Sequence, residues 1–343
     1  MTFGFVAHNL PAMLKAFIRW NEQKITNETD AETLRRALED EDATFWLDME
    51  NPTEQEVKLL SDVFHFHPLA IEDSLKYAQR PKIEDYSHRD HQCPFSYYYM
   101  VFHGPDQETF RRKLRTKELD IFMSERFIVT LHDEAFRSIN EVRARAEADP
   151  RLVMNAGLDM LLHQIFDRIT DHYQPILDYL EEALDELEDE ALDRPKPELL
   201  SRIAAKKREL LDLRRIVGPQ REVVAQLARG EVPFIRESSR LYFRDVQDHL
   251  IRVVEMVELY RDLVQGARDL YLSSISNHLN QIMKTLTTIS VIGLPLTVIT
   301  GFFGMNFDAI PGLHSPRGFW LIVLFMGAAV SFMLWLFWRK KWI

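Results

Sequence analysis

Two stretches near the C-terminus decide most of what this chain can fold into. Between Lys284 and Asp308 lie 23 residues without a charge, and between Arg317 and Arg339 lie another 21. About 20 helical residues cross the roughly 30 Å hydrocarbon core of a bilayer. The second stretch, GFWLIVLFMGAAVSFMLWLFW, is apolar on every face and runs straight into Arg339, Lys340 and Lys341, the flank of a membrane helix and not of one packed inside a soluble core. Two spans are expected, at about 285–303 and 318–338. Lys284 precedes the first, three cations of the 339–343 tail follow the second, and the 307–317 loop sets Asp308 against Arg317. The bias of Lys and Arg toward the inner side then puts both termini in the cytoplasm and the loop outside.

The rest of the chain belongs to a different solvent. The last 65 residues hold five cations and one acid, a charge of +4, so the first 278 carry −15 of the total −11. A surface that acidic is unsuited to nucleic acid, whose phosphates require clustered Lys and Arg, and makes a cation the expected guest. At 46% hydrophobic residues the chain must build packed cores. A single cysteine, Cys93, excludes an intrachain disulfide and a Cys-built structural zinc site. The first 20 residues lack a charged segment leading into an unbroken apolar run, so no secretory signal is expected.

Residues 1–150 alternate short β-rich runs with helical stretches, as in an α/β domain. Strands are expected at Thr44–Asp48, Tyr97–His103, Leu119–Met123 and Phe127–Leu131, with a helical run from Thr53 to Phe64. From Asn155 the strand signal stops and leucines recur at three- and four-residue steps, predicting two long antiparallel helices within 151–237, separated at Pro195 and Pro197 and ended by Gly230 and Pro233. From Ser238 to Phe303 the one breaker before Gly293 and Pro295 is Gly266. Some 65 residues at 1.5 Å each make a rod of roughly 100 Å, a stalk over 238–306 that passes from cytosol into bilayer. So long a rod suits bundling with copies of itself. The expected class is α+β: an N-terminal cytosolic α/β domain, a helical stalk continuing into the membrane, and two membrane helices.

Following helical steps along the rod gives Asp269, Ser273, Ser276, Asn280, Met283, Thr287, Ser290, Leu294, Thr297 and Gly301, leading to Asn306. This face is mostly small or polar. The first span ends in Gly304-Met305-Asn306, within GFFGMNF. In that position, with two spans, the chain resembles the CorA family of divalent-cation channels; HPLAIEDSLKYAQRPKIEDY at 67–86, YLSSISNHLNQIMKTLT at 271–287 and PLTVITGFFGMNF at 295–307 are also family-like. The resemblance implies a funnel-shaped homopentamer in the cytoplasmic (inner) membrane, first spans lining a pore and second spans facing lipid. It puts pore positions on Asp269, Asn280, Met283, Leu294, Thr297, Gly301, Gly304, Met305 and Asn306, with Leu286 replacing Thr287 where the phase drifts. It also implies regulatory cations held between subunits by Asp245, Glu72 and Asp73.

The expected function is a channel for Mg²⁺ influx, with Co²⁺ and Ni²⁺ as further passengers, closed by cytosolic Mg²⁺. No carboxylate lies within either span. Mg²⁺ sheds water reluctantly and would find no anionic cage there, so it should pass hydrated. A ring of Asn306 amides can bond to its water shell, Met283 and Leu294 can form dewetting constrictions, and Asp269 an acidic ring below them. The outer loop holds one acid, Asp308, where family members often have more. Nine acids within Asp178–Asp193 read as a solvated face that could also draw cations inward, and His88, His91 and Cys93 have ligand types suited to a softer metal. The competing readings are a zinc transporter like ZntB and a non-conducting, membrane-anchored cation sensor. No Walker loop, Gly-x-Ser-x-Gly elbow or His-Glu-x-x-His is present, so no enzyme is expected.

Overall fold

The computed structural model describes residues 13–21, 24–76, 79–87, 93–111, 114–193, 195–305, 316–340 and 342. Strands β1 (Met13–Arg19) and β2 (Ile25–Thr26) precede α1 (Ala31–Glu39), β3 (Thr44–Glu50), α2 (Glu54–Asp62) and α3 (Pro68–Leu75). Then come β4 (Lys82–Asp85), β5 (Tyr97–Pro105), β6 (Thr116–Ser124) and β7 (Phe127–His132). The seven strands form one sheet of order β2-β1-β3-β7-β6-β5-β4; β3 and β7 run parallel, and the other neighbouring pairs antiparallel. The remainder is helical: α4 (Arg137–Ala148), α5 (Pro150–Met154), α6 (Leu158–Asp171), α7 (Gln174–Asp193), α8 (Pro197–Arg229), α9 (Glu237–Phe303) and α10 (Pro316–Arg339). By contacts the chain divides into two compact units, Met1–Leu187 with Ser201–Gly266, and Glu188–Leu200 with Ala267–Ile343.

The alternation of β3 sorts the two faces of the sheet. Phe45, Leu47 and Met49 point to one side, where Leu34 and Leu38 of α1, Leu60 of α2 and Ala70 of α3 close a core rich in phenylalanine. Phe66 stacks on Phe122 with ring centroids 4.3 Å apart. Trp46, Asp48 and Glu50 point to the other side. There Phe102 of β5 stacks on Phe166 of α6 at 4.0 Å, and Arg143 of α4 donates to Asp48 Oδ2 at 2.9 Å and Glu50 Oε2 at 3.2 Å. Asp48 also accepts from Thr130 at 2.7 Å and lies 3.3 Å from His132 Nε2. Burial alone would raise the Asp48 pKa, but His132, Thr130 and Arg143 outweigh it and hold the carboxyl below its ordinary value.

Each of the four expected strands is present and one to four residues longer than read from sequence. The long helix expected from Asn155 is instead two, α6 and α7, parted at His172 and Tyr173. Pro175 explains the break: it has no N–H to donate to the preceding turn and sits comfortably in the first turn of a new helix. The break is also tied down. Tyr173 Oη donates to the His103 carbonyl at 3.0 Å and lies 3.0 Å from Gln220 Oε1, while Gln220 Nε2 donates to that same carbonyl at 2.7 Å. By contrast α8 runs through Pro219, and α9 through Gly266, Gly293 and Pro295.

Candidate functional site

The start of α9 is fixed against α6 by a charged clamp. Gly157, at φ +101°, ends the loop before α6, and a Cβ there would stand 2.5 Å from the Arg236 guanidinium. Arg236, just before α9, donates through Nε to Asp159 Oδ2 at 2.8 Å, through Nη2 to Asp159 Oδ1 at 2.5 Å, and through its backbone N–H to Oδ2 at 3.2 Å. These bonds hold Asp159 below the usual carboxylate pKa although burial pushes it upward.

Below the clamp, facing residues of α6 and α9 form a strip of acids and histidines. His163 packs edge-on against Phe243 at 5.8 Å, and burial lowers its pKa while Asp167 and Asp245 act to raise it. Ligand atoms of Asp167, Asp171 and His249 all lie within 4.8 Å of one another. Burial, then the Asp171 charge, raises the pKa of Asp167. Asp171 and His249 open onto a groove of about 440 Å³ that also meets Asp178, Glu181 and Glu255. Oxygen ligands with one imidazole suit a divalent ion of borderline hardness.

Glu72 and Asp73 occupy the second half of α3 and are already paired with cations of their own chain. Glu72 pairs with Lys76 one turn on. Asp73 Oδ2 accepts from Lys82 Nζ of β4 at 2.5 Å, and the same ammonium lies 3.2 Å from Glu84 Oε1.

Farther along α9, Asp269, Asn280, Met283, Thr287, Ser290, Leu294, Thr297 and Gly301 are all exposed. Thr287 donates to the Met283 carbonyl at 2.7 Å and Thr297 to the Gly293 carbonyl at 2.9 Å, so these hydroxyls keep only their acceptor lone pairs for an outside partner. The apolar window of α9 is 6% buried, and that of Arg317–Arg339 is 0%. The reading as core helices of a soluble protein therefore fails: neighbouring subunits or lipid must cover Leu286, Ile289, Val298, Trp320, Leu324 and Phe325. The helix ends at Phe303; a Cβ on Gly304 would come within 3.0 Å of the Thr300 carbonyl. Asn306 and Asp308 lie outside the described residues.

A family profile described as "CorA-like Mg2+ transporter protein" matches residues 41–341. The chain belongs to this family. It is 33% identical to the cobalt/magnesium transport protein CorA of Thermotoga maritima over 287 residues, 84% of this chain and 80% of that protein. It is 27% identical to the cobalt/magnesium transport protein CorA of Methanocaldococcus jannaschii over 299 residues, 87% of this chain and 91% of that protein. The complete structure of the M. jannaschii CorA magnesium transporter superposes with a TM-score of 0.77 at 25% identity, covering 96% of this chain and 98% of that one. The shared architecture is a CorA-like fold, with an α/β soluble domain, a long helix and C-terminal apolar helices.

In this CorA-family chain the Asp167, Asp171 and His249 grouping is the feature missed from sequence. Its signal was a four-residue step: His163, Asp167 and Asp171 follow one another on α6, as do Asp245 and His249 on α9. The acids of α7 turn outward, while Leu177, Leu180, Leu184 and Leu187 are buried, as a solvated face requires. Of the His88, His91 and Cys93 group only Cys93 is described, and its thiol approaches the Phe64 and Phe95 carbonyls at 3.6 and 3.4 Å.

Proposed function

We propose that the chain assembles as a funnel-shaped homopentamer that conducts Mg²⁺, and also Co²⁺ and Ni²⁺, inward across the cytoplasmic membrane with both termini in the cytoplasm. The observation that carries this reading is the exposed face of α9 on which Asn280, Met283, Thr287, Leu294, Thr297 and Gly301 follow one another toward Gly304 and Met305. Such a face is a poor fit to hydrocarbon, and a two-span subunit cannot enclose water alone, so copies must pool these faces around a wet axis. The exposed Leu241, Leu259, Leu272 and Leu279 on the same helix supply apolar surface for such contacts.

Along that axis Asn306 amides hold the hydrated ion by its water, Met283 and Leu294 rings close the lumen when it narrows, and Asp269 forms an acidic ring beneath them. Cytosolic Mg²⁺ bound between subunits by Asp245, Asp73 and Glu72 neutralises carboxylates that otherwise repel, and so favours the closed state. Mg²⁺ uptake into sealed vesicles by wild type and by Asn306→Ala, with Zn²⁺ in parallel, tests the reading. Equal uptake by both proteins refutes the amide collar. No flux at all leaves the non-conducting sensor, and Zn²⁺ flux without Mg²⁺ flux leaves the ZntB-like transporter.

A further inference from the structure

Both α3 acids given a regulatory role above already carry an ammonium, and the two pairs differ in kind. Lys76 and Glu72 are an i, i+4 pair on an exposed helix face, with side chains 54% and 38% exposed; such pairs are weak and easily exchanged for water. Lys82 and Asp73 come from different elements, with side chains 25% and 31% exposed. The Lys82 ammonium lies 5.3 Å from the Tyr99 ring centroid, and Tyr99 is fully buried. Its Nζ is shared between Asp73 Oδ2 at 2.5 Å and Glu84 Oε1 at 3.2 Å.

This lysine therefore holds a unit positive charge against the oxygen that a divalent ion would use. A short tether gives it a high effective concentration there, so an ion from solution must displace it. Displacement does not strand the lysine, because Glu84 remains as its second partner.

We propose that Lys82 is a tethered competitor of divalent cations at Asp73, and that this competition sets the cytosolic Mg²⁺ concentration at which the channel closes. The proposal rests on the reading of Asp73 as a regulatory ligand and adds to it the residue that tunes the affinity. Two substitutions then act in opposite directions. Removing the ammonium frees Asp73 for the ion, whereas removing Glu84 leaves the ammonium with Asp73 alone and strengthens the competition.

The test is protection of the full-length protein from protease in detergent, titrated with MgCl₂. Lys82→Met should lower the half-protecting concentration about fivefold, the scale of one partly screened ion pair. Lys82→Arg, which keeps the charge, should stay within about twofold of wild type, and Glu84→Gln should raise the midpoint. If Lys82→Met fails to fold, a Glu84→Gln midpoint at or below wild type overturns the competition by itself. An unchanged or higher midpoint in folded Lys82→Met, beside a raised one in Asp73→Asn, overturns the competition and leaves Asp73 as a ligand. An unchanged midpoint in Asp73→Asn removes Asp73 from the regulatory site, and this proposal with it.

Discussion

Asp159, the second residue of α6, holds Arg236, the residue before α9, through two side-chain bonds of 2.8 and 2.5 Å. The carboxylate is 3% exposed and the guanidinium 55%, so the acid is the buried partner and the arginine reaches in from solvent. Asp159→Ala deletes both bonds and leaves the Arg236 backbone N–H without its acceptor. A loss of about 1.5–3 kcal/mol is expected, at the low end because the arginine is screened. Thermal unfolding of the full-length variant followed by circular dichroism measures it. A melting temperature equal to wild type shows that the clamp does not hold the first turn of α9.

The buried pair on β3 and β7 gives a pH signature. Burial lowers the His132 pKa, but Asp48 beside it raises it more, so the folded value lies above the ordinary 6.5; that of Asp48 lies below the ordinary 3.8. The stability contributed by the histidine is fully present below pH 6.5 and is lost as pH rises through the folded value. The stability contributed by the aspartate is present above pH 3.8 and is lost as pH falls through its own folded value. Between these the pair contributes most, so wild type should lose stability from pH 6 to pH 9. Asp48→Asn should cost about 3–5 kcal/mol at pH 6, because it takes the carboxylate from beside the buried His132 and leaves Arg143 with Glu50 as its one acid, and should abolish the alkaline decline. An equal decline in both proteins would assign it to other groups.

Much of this was legible in the sequence, for reasons that differ by residue. Phe127–Leu131 and Leu119–Met123 could be found because central strands buried on both faces read as unbroken apolar runs. Strand β4, KIED, escaped because it is a charged edge strand, whose composition answers to solvent and to the Lys82 pairings and not to a core. The split of α6 from α7 hung on Pro175 within an otherwise periodic leucine pattern. The α9 stripe needed only helical spacing. The acids and histidines that α6 and α9 bring together come from segments more than seventy residues apart, and only the packing of the two helices shows that Asp167 and His249 meet.

The strip beside Asp245 predicts that two metals will respond differently to one substitution. Asp245→Ala removes an exposed carboxylate given to the intersubunit cation, so Mg²⁺ should protect the cytosolic part from protease about tenfold less well or not at all. Asp167, Asp171 and His249 remain, with ligand atoms within 4.8 Å. Imidazole favours Co²⁺ over Mg²⁺, so protection by Co²⁺ should fall less. Protection by Mg²⁺ equal to that of wild type removes Asp245 from the regulatory set.

Gly301 separates a pore-facing residue from a lipid-facing one by setting fold against flux. A Cβ built there meets nothing within 4 Å in the single chain, so alanine fits without strain. In a helix interior alanine is favoured over glycine by about 0.8–1 kcal/mol, so Gly301→Ala should leave stability equal or raised. If Gly301 faces the common axis, one added methyl group per subunit narrows the lumen at one level, and the larger Gly301→Leu should close it. Thermal unfolding and Mg²⁺ uptake are measured on the same preparations. The expected result is retained or raised stability with uptake reduced in Gly301→Ala and lost in Gly301→Leu. Wild-type uptake by Gly301→Leu turns this face of α9 toward lipid or a neighbouring helix, and the stripe then lines no pore at that level.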